Sequence, residues 1–252
     1  MTLRDVLRRL PPFRNRPPVV GVVRFEGIIG PQQWRSALSL GGYAAALDRA
    51  FGQSRLAAVA LAINSPGGSP VQSALLYRRI RQLAEEKSVP VFAFAEDVAA
   101  SGGYWLALAG DEIYAEEASL LGSIGVVSSG FGVSRLIERF GIERRLHTAG
   151  DKKSLLDPFL PEDPDDVARL TALQRDIHDS FKDQVRRRRA GRIDAADDGL
   201  FSGEVLTGRM ALERGLIDGI GDLRSVMRAR FGERVRLVPV SPQRRRRWWL
   251  PR

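Results

Sequence analysis

The spacing of apolar and polar positions along the chain predicts strands that alternate with helices. Apolar runs of strand length predict the first three strands, over residues 19–25, 56–63 and 89–95. A helical period separates the second strand from the third over about 70–86, and a helix of small residues is expected over 101–109. Such alternation favours an α/β fold with functional residues at the carboxyl ends of the strands.

The second half of the chain predicts more helix than strand. Prolines punctuate 149–163, which we interpret as a loop leading into a long helix over about 164–189. The remaining expected elements are strands at 112–115, 124–127 and 235–240, and short helices at 208–215 and 222–230. No internal repeat or linker interrupts this order, so we expect a single domain with additional C-terminal helices.

Net charge divides the chain into a neutral body and two basic tails. The formal charge is +9, and residues 1–18 and 241–252 carry ten arginines and one aspartate between them, so residues 19–240 have no net charge. Because nucleic-acid proteins usually carry basic charge on the folded surface, we expect no nucleic-acid partner. The C-terminal tail, with Trp248 and Trp249 after four arginines, suits peripheral membrane contact, and a disordered arginine-rich tail is the equal alternative.

Composition limits the compartment and the chemistry. No apolar run reaches the roughly 18–20 residues that cross a bilayer, and the N-terminus does not resemble a secretory signal. The chain has no cysteine, so disulfides and thiolate metal sites are excluded. We therefore expect a cytoplasmic protein, in which the basic tails could bind the inner face of a membrane.

A glycine turn follows the second predicted strand. The sequence from Asn64 to Gly68 leads into a helix, which exposes backbone N–H groups close to the helix N-terminus. Such donors can form an oxyanion hole for a tetrahedral intermediate. An ordinary strand-to-helix turn is the alternative for this motif taken alone.

Ser101 follows the third predicted strand among small residues. Its neighbours Ala100 and Gly102 leave the hydroxyl uncrowded, as in other acyl-transfer nucleophiles at strand-to-helix turns. The N–H of Gly102 would then be a second oxyanion donor. The alternative is that Ser101 is only an N-cap residue.

The candidates for a base are few, because 35 of the 39 basic residues are arginines that stay protonated. His147, at the end of an expected strand, and His178 are interpreted as surface or edge residues. Lys87 and Lys182 are expected to be solvated. Lys152 and Lys153 precede an apolar stretch that could desolvate one ammonium and so make it a usable base. The residues alone do not decide between these two lysines.

Four segments together resemble the signal peptide peptidase A family of serine peptidases. They are residues 64–69, 99–104, 121–126 and 148–159. The resemblance extends in order from about Val19 to Arg230, and only the first segment is shared with Clp-type peptidases and crotonases. It implies a Clp/crotonase-like fold of stacked ββα units and hydrolysis of peptide bonds without metal or cofactor.

The resemblance also implies roles for individual residues. Ser101 would be the nucleophile, and Lys153 the general base, because it lies five residues before Pro158 as in the family pattern. Ser123 would orient the lysine, with an ordinary turn serine as the alternative. Gly68 and Gly102 would donate to the oxyanion.

The resemblance further implies an assembly and a substrate class. In single-copy members the Ser-Lys dyad forms between neighbouring subunits, so we expect a homo-oligomer that cleaves short apolar peptides such as signal-peptide remnants. Typical members have an N-terminal membrane anchor, and this sequence contains no run of that kind. Two rival hypotheses are a crotonase-like acyl-CoA enzyme that uses only the oxyanion hole and a non-catalytic scaffold at the membrane surface.

Overall fold

The structure is a computed structural model that describes residues 16–31, 37–150, 152–194 and 196–242. Most of the two predicted basic tails, residues 1–15 and 243–252, lies outside the described residues. The membrane-contact and domain-boundary predictions that depend on those tails therefore stay predictions.

One mixed sheet organises the described residues. Its strands are β1 (Val19–Glu26), β2 (Leu56–Ser65), β3 (Val91–Ala100), β4 (Glu112–Ala115), β5 (Leu120–Gly122), β6 (Val205–Thr207), β7 (Gly219–Ile220) and β8 (Arg236–Val240). The main order is β6-β5-β3-β2-β1-β8, and β4 pairs with both β3 and β7. All pairs are parallel except β5 with β6. The predicted α/β class is confirmed.

Helices cover both faces of the sheet. They are α1 (Leu40–Phe51), α2 (Pro70–Lys87), α3 (Gly102–Ala107), α4 (Ser134–Arg139), α5 (Pro164–Arg188), α6 (Gly208–Glu213) and α7 (Leu223–Phe231), with a 3₁₀ turn at Asp198–Phe201. The main core joins one face of the sheet to α1, α2 and α3, and a smaller cluster packs Met227 of α7 against the other face. Because both faces are covered, β2 is apolar almost throughout, as buried parallel strands are.

Strand β3 is longer than the pattern predicts, and this extension places the nucleophile. The prediction ended the strand at residue 95, just before the charged residues Glu96 and Asp97. Instead the Arg24 guanidinium donates to Glu96 at 2.5 Å and the Asn64 amide donates to Asp97 at 2.6 Å, so both carboxylates are paired within the sheet. The strand continues to Ala100, pairing first with β4 and then with β5.

Three other expectations need correction. The strand predicted at 124–127 is wrong: the pairing strand is Leu120–Gly122, and Val127 is 88% exposed. The strand expected before His147 is absent, because residues 142–147 are exposed and have no regular structure. Helix α1 was not predicted, although Ser39 caps it by accepting from the N–H of Gly42.

Within the described residues, no helix combines the length and apolar character that crossing a bilayer requires.

Candidate active site

Ser101 lies at the junction between β3 and α3 in an unusual backbone conformation. Its φ of 51° and ψ of −121° belong to a region that side chains with a Cβ rarely adopt. Its N–H donates to the carbonyl of Gly122 at 2.8 Å, and its own carbonyl accepts from the N–H of Trp105 at 3.0 Å. The side chain makes no capping hydrogen bond to α3. Ser101 therefore occupies the N-cap position of α3 without capping it through its side chain, and it is half-buried at a turn that neighbouring strands hold in place.

The glycine turn after β2 packs directly against Ser101. Gly67 and Gly68 have φ values of 103° and 135°, which side chains rarely adopt. The strand-like contact with Ile29 fixes this turn, because the N–H of Ile29 donates to Gly67 and the N–H of Ser69 donates back to Ile29, both at 2.8 Å. A Cβ on Gly67 would lie 2.8 Å from the Cβ of Ser101. The chain can approach this closely only without a side chain there.

The same approach brings two backbone nitrogens together. A Cβ on Gly102 would lie 3.3 Å from the nitrogen of Gly68, so both N–H groups belong to one small region beside Ser101. Neither N–H donates a hydrogen bond within the described part of the chain. Free donors near a nucleophile are what an oxyanion requires. The assignment of Gly68 and Gly102 as oxyanion donors stays a prediction, and this geometry is compatible with it.

A narrow cleft opens beside Ser101 and has mostly apolar walls. Its lining includes Trp105 from α3, Val126 after β5, and Ile177 and Phe181 from α5. The Trp105 and Phe181 rings stack with centroids 4.8 Å apart. From the sequence, Ile177 and Phe181 belong only to the long helix predicted over about 164–189. Their place in the cleft depends on how α5 packs, which periodicity does not reveal.

Buried polar contacts hold α3 and α5, the two helices that form this wall, in place. The Tyr104 hydroxyl donates to the carbonyl of Leu216 at 2.7 Å, and burial raises the pKa of Tyr104 far above its ordinary value. Arg189, whose side chain is 2% exposed, pairs with Asp218 at 2.8 Å and also donates to the carbonyl of Gly215. These contacts attach the end of α5 and the segment before β7 to the base of α3.

The backbone at the end of β5 connects Ser123 to the nucleophile. It follows Gly122, whose carbonyl binds the Ser101 N–H, and it has a φ of 49°. Its own N–H donates to the carbonyl of Glu204 at 2.7 Å, so the turn is anchored to β6. The Ser123 side chain is half-buried on the edge of this region. The predicted role of Ser123 in orienting a lysine stays a prediction.

The two candidate lysines lie in a different environment. Lys152 and Lys153 are both exposed, and neither lines the cleft beside Ser101 within this one chain. They belong to a segment, residues 127–163, whose described residues are exposed almost throughout. We name this stretch the base segment. The choice of Lys153 as general base stays a prediction.

A few contacts shape the base segment around Asp157. The N–H of Val133 donates to the carbonyl of Pro158 at 2.7 Å, which brings the two ends of the segment together. Asp157 accepts from the N–H of Phe159 and from the Arg144 guanidinium, each at 3.0 Å. The Phe159 N–H, and then Arg144, hold the pKa of Asp157 below its ordinary value against the opposing effect of desolvation.

The two histidines do not complete a serine–histidine pair. His147 is exposed in the base segment. His178 lies on α5 with its Nε2 3.0 Å from the carbonyl oxygen of Ile124, so this ring nitrogen is engaged with the backbone. Their interpretation as surface or edge residues agrees with these positions.

The other cavities and polar clusters do not compete as catalytic sites. A cavity of about 790 Å³ lies on the opposite face of the sheet, beside Phe94 and Leu237, and does not include Ser101. No cluster of metal-ligating side chains occurs among residues 16–31, 37–150, 152–194 and 196–242. The cleft beside Ser101 is therefore the candidate active site.

Two curated relatives of this chain are named for different activities. It is 52% identical over 246 residues to the Na(+)/H(+) antiporter NhaA of Brucella abortus, matching 96% of this chain and 33% of the relative. It is 37% identical over 167 residues to the chloroplastic serine protease SPPA of Arabidopsis thaliana, matching 66% of this chain and 24% of the relative. The chain thus spans about a quarter to a third of the length of these curated relatives.

A solved structure supports the fold. A lysine-to-alanine mutant of the 1510-N membrane-bound stomatin-specific protease, in complex with a substrate peptide, aligns with a TM-score of 0.56. The alignment covers 90% of this chain and 94% of that chain at 16% sequence identity. The expected Clp/crotonase-like fold is confirmed.

A match to a family model shows which protein family the chain belongs to. The model described as peptidase family S49 matches residues 83–232, which is more than half of the chain. This stretch contains Ser101, Ser123 and Lys153. The chain belongs to peptidase family S49.

Proposed function

We propose that this chain is a serine endopeptidase that hydrolyses short apolar peptides, such as signal-peptide remnants, with a Ser-Lys dyad. The observation that carries the proposal is the placement of the Ser101 hydroxyl at a constrained turn beside the unengaged N–H groups of Gly68 and Gly102. A nucleophile next to preorganised donors suits acyl transfer. Membership of a peptidase family favours amide bonds as the substrate.

The mechanism needs one proton acceptor beside Ser101. The neutral amine of Lys153 takes the proton from the Ser101 hydroxyl as the oxygen attacks the scissile carbonyl. The N–H groups of Gly68 and Gly102 stabilise the oxyanion that develops. The protonated Lys153 then gives its proton to the leaving amine of the substrate. The neutral Lys153 amine that results activates the water that hydrolyses the acyl-enzyme.

We place Ser123 as a positioning residue for Lys153. The turn that carries Ser123 is joined to the nucleophile through Gly122 and to β6 through Glu204. A hydroxyl at this position can hydrogen-bond the lysine amine and hold it toward Ser101.

The base segment reaches the cleft of a neighbouring subunit in this proposal. Large apolar side chains in the segment are exposed in the single chain, including Phe131 (89%), Phe140 (70%) and Ile142 (58%). Exposed large apolar side chains that are close together typically mark an interaction site, and these three lie within twelve residues of one segment. Burial between copies would cover these side chains and also remove water from Lys153, so the proposed active unit is a homo-oligomer with active sites between subunits.

The cleft walls favour apolar residues in the substrate. Trp105, Val126, Ile177 and Phe181 present aromatic and aliphatic surface next to Ser101. An apolar side chain of a peptide gains by leaving water for such a surface. Charged side chains would lose hydration there without a partner.

We also propose that the protein works at the inner face of a membrane. In the Brucella abortus relative, the stretch that matches this chain belongs to a longer protein named as an Na(+)/H(+) antiporter. That link supports a membrane-associated role for the matching stretch. Contact through the arginine-rich sequence 244–247 would supply electrostatic attraction to anionic lipids.

The test of the dyad uses the two adjacent lysines as a matched pair. Hydrolysis of a fluorogenic apolar peptide is measured for the parent protein and for Ser101→Ala, Lys153→Ala and Lys152→Ala. We expect Ser101→Ala and Lys153→Ala each to lower kcat by at least about 1,000-fold, because members of a catalytic unit fail together. Lys152→Ala should retain most of the activity.

The outcomes separate the proposal from its rivals. Full activity in Lys153→Ala would show that the base is a different residue. Activity retained in Ser101→Ala would exclude Ser101 as the nucleophile. Binding of an acyl-CoA, with no labelling of Ser101 by a fluorophosphonate probe, would favour the crotonase-like hypothesis instead.

A further inference from the structure

Ser65, the last residue of β2, is fully buried next to the glycine turn that packs against Ser101. Its hydroxyl oxygen accepts a hydrogen bond from the N–H of Gly67 at 3.2 Å. Burying a hydroxyl is unfavourable unless the group is hydrogen-bonded, so a polar side chain at this position requires a reason. No step of the proposed mechanism uses this hydroxyl.

The Ser65 hydroxyl holds the first of two peptide planes that lead to the Gly68 N–H. The plane that joins Pro66 to Gly67 carries the N–H that the Ser65 oxygen accepts. The next plane joins Gly67 to Gly68, and its carbonyl accepts from the N–H of Ile29 at 2.8 Å. In a trans peptide the N–H points away from the C=O, so the Gly68 N–H points away from Ile29. Holding both planes sets the direction of this proposed oxyanion donor.

The glycines make such restraint necessary. Gly67 and Gly68 have positive φ values, 103° and 135°, and glycine adopts many other conformations just as readily. The turn can lie close to Ser101 because it has no side chains there, and it is held only by the hydrogen bonds that neighbouring residues make to it. The bond from Ile29 joins two backbone groups, whereas the bond to Ser65 depends on a side chain and can be removed by substitution.

Ser65 also contacts the segment that carries the second proposed donor. It pairs with Ala99 of β3, two residues before the nucleophile. A Cβ on Gly103 would lie 2.4 Å from the carbonyl oxygen of Ser65, so the first turn of α3 packs directly on this residue. Helix α3 begins at Gly102, the second proposed donor. One buried residue therefore contacts both segments that carry the donors.

We propose that Ser65 is a positioning residue for the oxyanion hole. Its hydroxyl holds the Gly67 N–H and thereby directs the Gly68 N–H toward the oxygen of the tetrahedral intermediate. Donors held in this way stabilise developing charge because they need no reorientation during the reaction. Since Ser65 is fully buried, it acts through Gly67 and does not contact the substrate. This inference rests on the proposed function.

The experiment separates the oxyanion from the bound substrate. Hydrolysis of the fluorogenic apolar peptide is measured for the assembled parent protein, Ser65→Ala and Ser65→Cys. Rates are divided by the number of active sites counted at the end point of fluorophosphonate labelling, so unfolded protein does not lower kcat. Inhibition by a peptide boronate is measured in parallel, because its tetrahedral adduct with Ser101 places an oxygen where the oxyanion forms.

We expect Ser65→Ala to lower kcat at least about 10-fold and to change KM less than about 2-fold, because the donor remains but is less well directed. The inhibition constant of the boronate should rise by a similar factor. Ser65→Cys should lose kcat in the same way, since sulfur fills the site but is a weak acceptor. The cysteine variant also supplies the test if Ser65→Ala folds poorly.

Ser39→Ala is the matched control. Ser39 is 2% exposed, and its hydroxyl accepts from the N–H of Gly42 at 3.3 Å at the start of α1. Losing this bond should lower Tm, as the loss of the Ser65 bond does, because each leaves a backbone N–H without its acceptor. The kcat per active site and the boronate affinity of Ser39→Ala should stay within about 2-fold of the parent.

The outcomes distinguish positioning from a contribution to stability alone. If both Ser65 variants keep the kcat and boronate affinity of an active parent, Ser65 only stabilises the fold and the inference is wrong. If Ser39→Ala loses as much kcat per active site as Ser65→Ala, activity follows stability and the inference is again wrong. A parent protein that hydrolyses no peptide would instead overturn the proposed function, and this inference with it.

Discussion

The nucleophile region and the base segment are held in opposite ways. Ser101 follows a strand with neighbours on both sides, and the residues around it, such as Leu121 and Ile124, are fully buried. The described residues of the base segment, residues 127–163, are almost all exposed. Within a single chain, the core therefore fixes Ser101 of the proposed dyad, whereas Lys153 lies on the surface.

This difference shows which contacts hold each of the two residues in its conformation. The strained conformation of Ser101 persists because surrounding hydrogen bonds and packing determine it. The contact that the structure shows for Lys153 is local, because its N–H donates to the carbonyl of Gly150 at 3.2 Å. A base held only by such contacts needs further burial to be desolvated, and a second copy of the chain could supply it.

The sharpest contrast is expected in the free energy of unfolding. Leu121→Ala, at a fully buried position of β5, should lower the unfolding free energy by about 2–5 kcal/mol, because a cavity remains in the core. Phe140→Ala, in the base segment, should change that of the isolated chain by less than about 0.5 kcal/mol. Urea unfolding under dissociating conditions measures both.

The order of the two effects should reverse when assembly is measured in place of unfolding. Phe140→Ala is expected to lower the mass seen by light scattering and to reduce peptidase activity. If Phe140→Ala destabilises the dissociated chain as strongly as Leu121→Ala, the base segment is not the independent surface described above.

Glycine replacements give the next largest effect. A Cβ at Gly68 would lie 2.0 Å from the carbonyl oxygen of Ile29, at a φ of 135°, so Gly68→Ala must displace the turn beside Ser101. We expect kcat to fall by about 100-fold or more, the cost of removing one oxyanion donor. Peptide hydrolysis of the folded variant, verified by circular dichroism, gives the comparison.

Gly141 is the matched control in the base segment. It also has a positive φ, 63°, but an added Cβ would meet nothing within 4 Å. Gly141→Ala should therefore keep most of the activity. A Gly68→Ala variant that is as active as Gly141→Ala would remove Gly68 from the oxyanion hole.

A smaller effect is expected at Ser123. Ser123→Ala should lower kcat by about 10-fold with little change in KM or Tm, because the hydroxyl positions the base and does not bind substrate. Ser128→Ala, at an exposed serine nearby, is the control. A change in KM alone would contradict the positioning role.

The sequence predicted the secondary structure best where apolar periodicity and burial coincide. Strand β2 and helix α2 were located within two residues of their ends, because their side chains pack on a core. The prediction lost residues 96–100 of β3, because Glu96 pairs with Arg24 of β1 and Asp97 accepts a hydrogen bond from the Asn64 amide of β2. Pairing between strands is not visible in a single stretch of sequence.

The candidate site was predictable to the same degree. Small residues around Ser101 and the turn ending at Gly68 reveal a strand-to-helix junction, and the structure brings these two segments together. The apolar wall from Phe181 could not be located, because it depends on the packing of α5 against α3. In the proposed function, the position of Lys153 relative to the Ser101 hydroxyl depends on assembly, which no local pattern encodes.

Mixing two inactive variants tests most directly whether the dyad forms between subunits. Ser101→Ala and Lys153→Ala proteins are dissociated, combined and reassembled, and hydrolysis of the fluorogenic peptide is measured against each variant reassembled alone. The account predicts that activity returns only in the mixture, at interfaces that join an intact Ser101 to an intact Lys153. A mixture that forms mixed oligomers and stays as inactive as its components would contradict it.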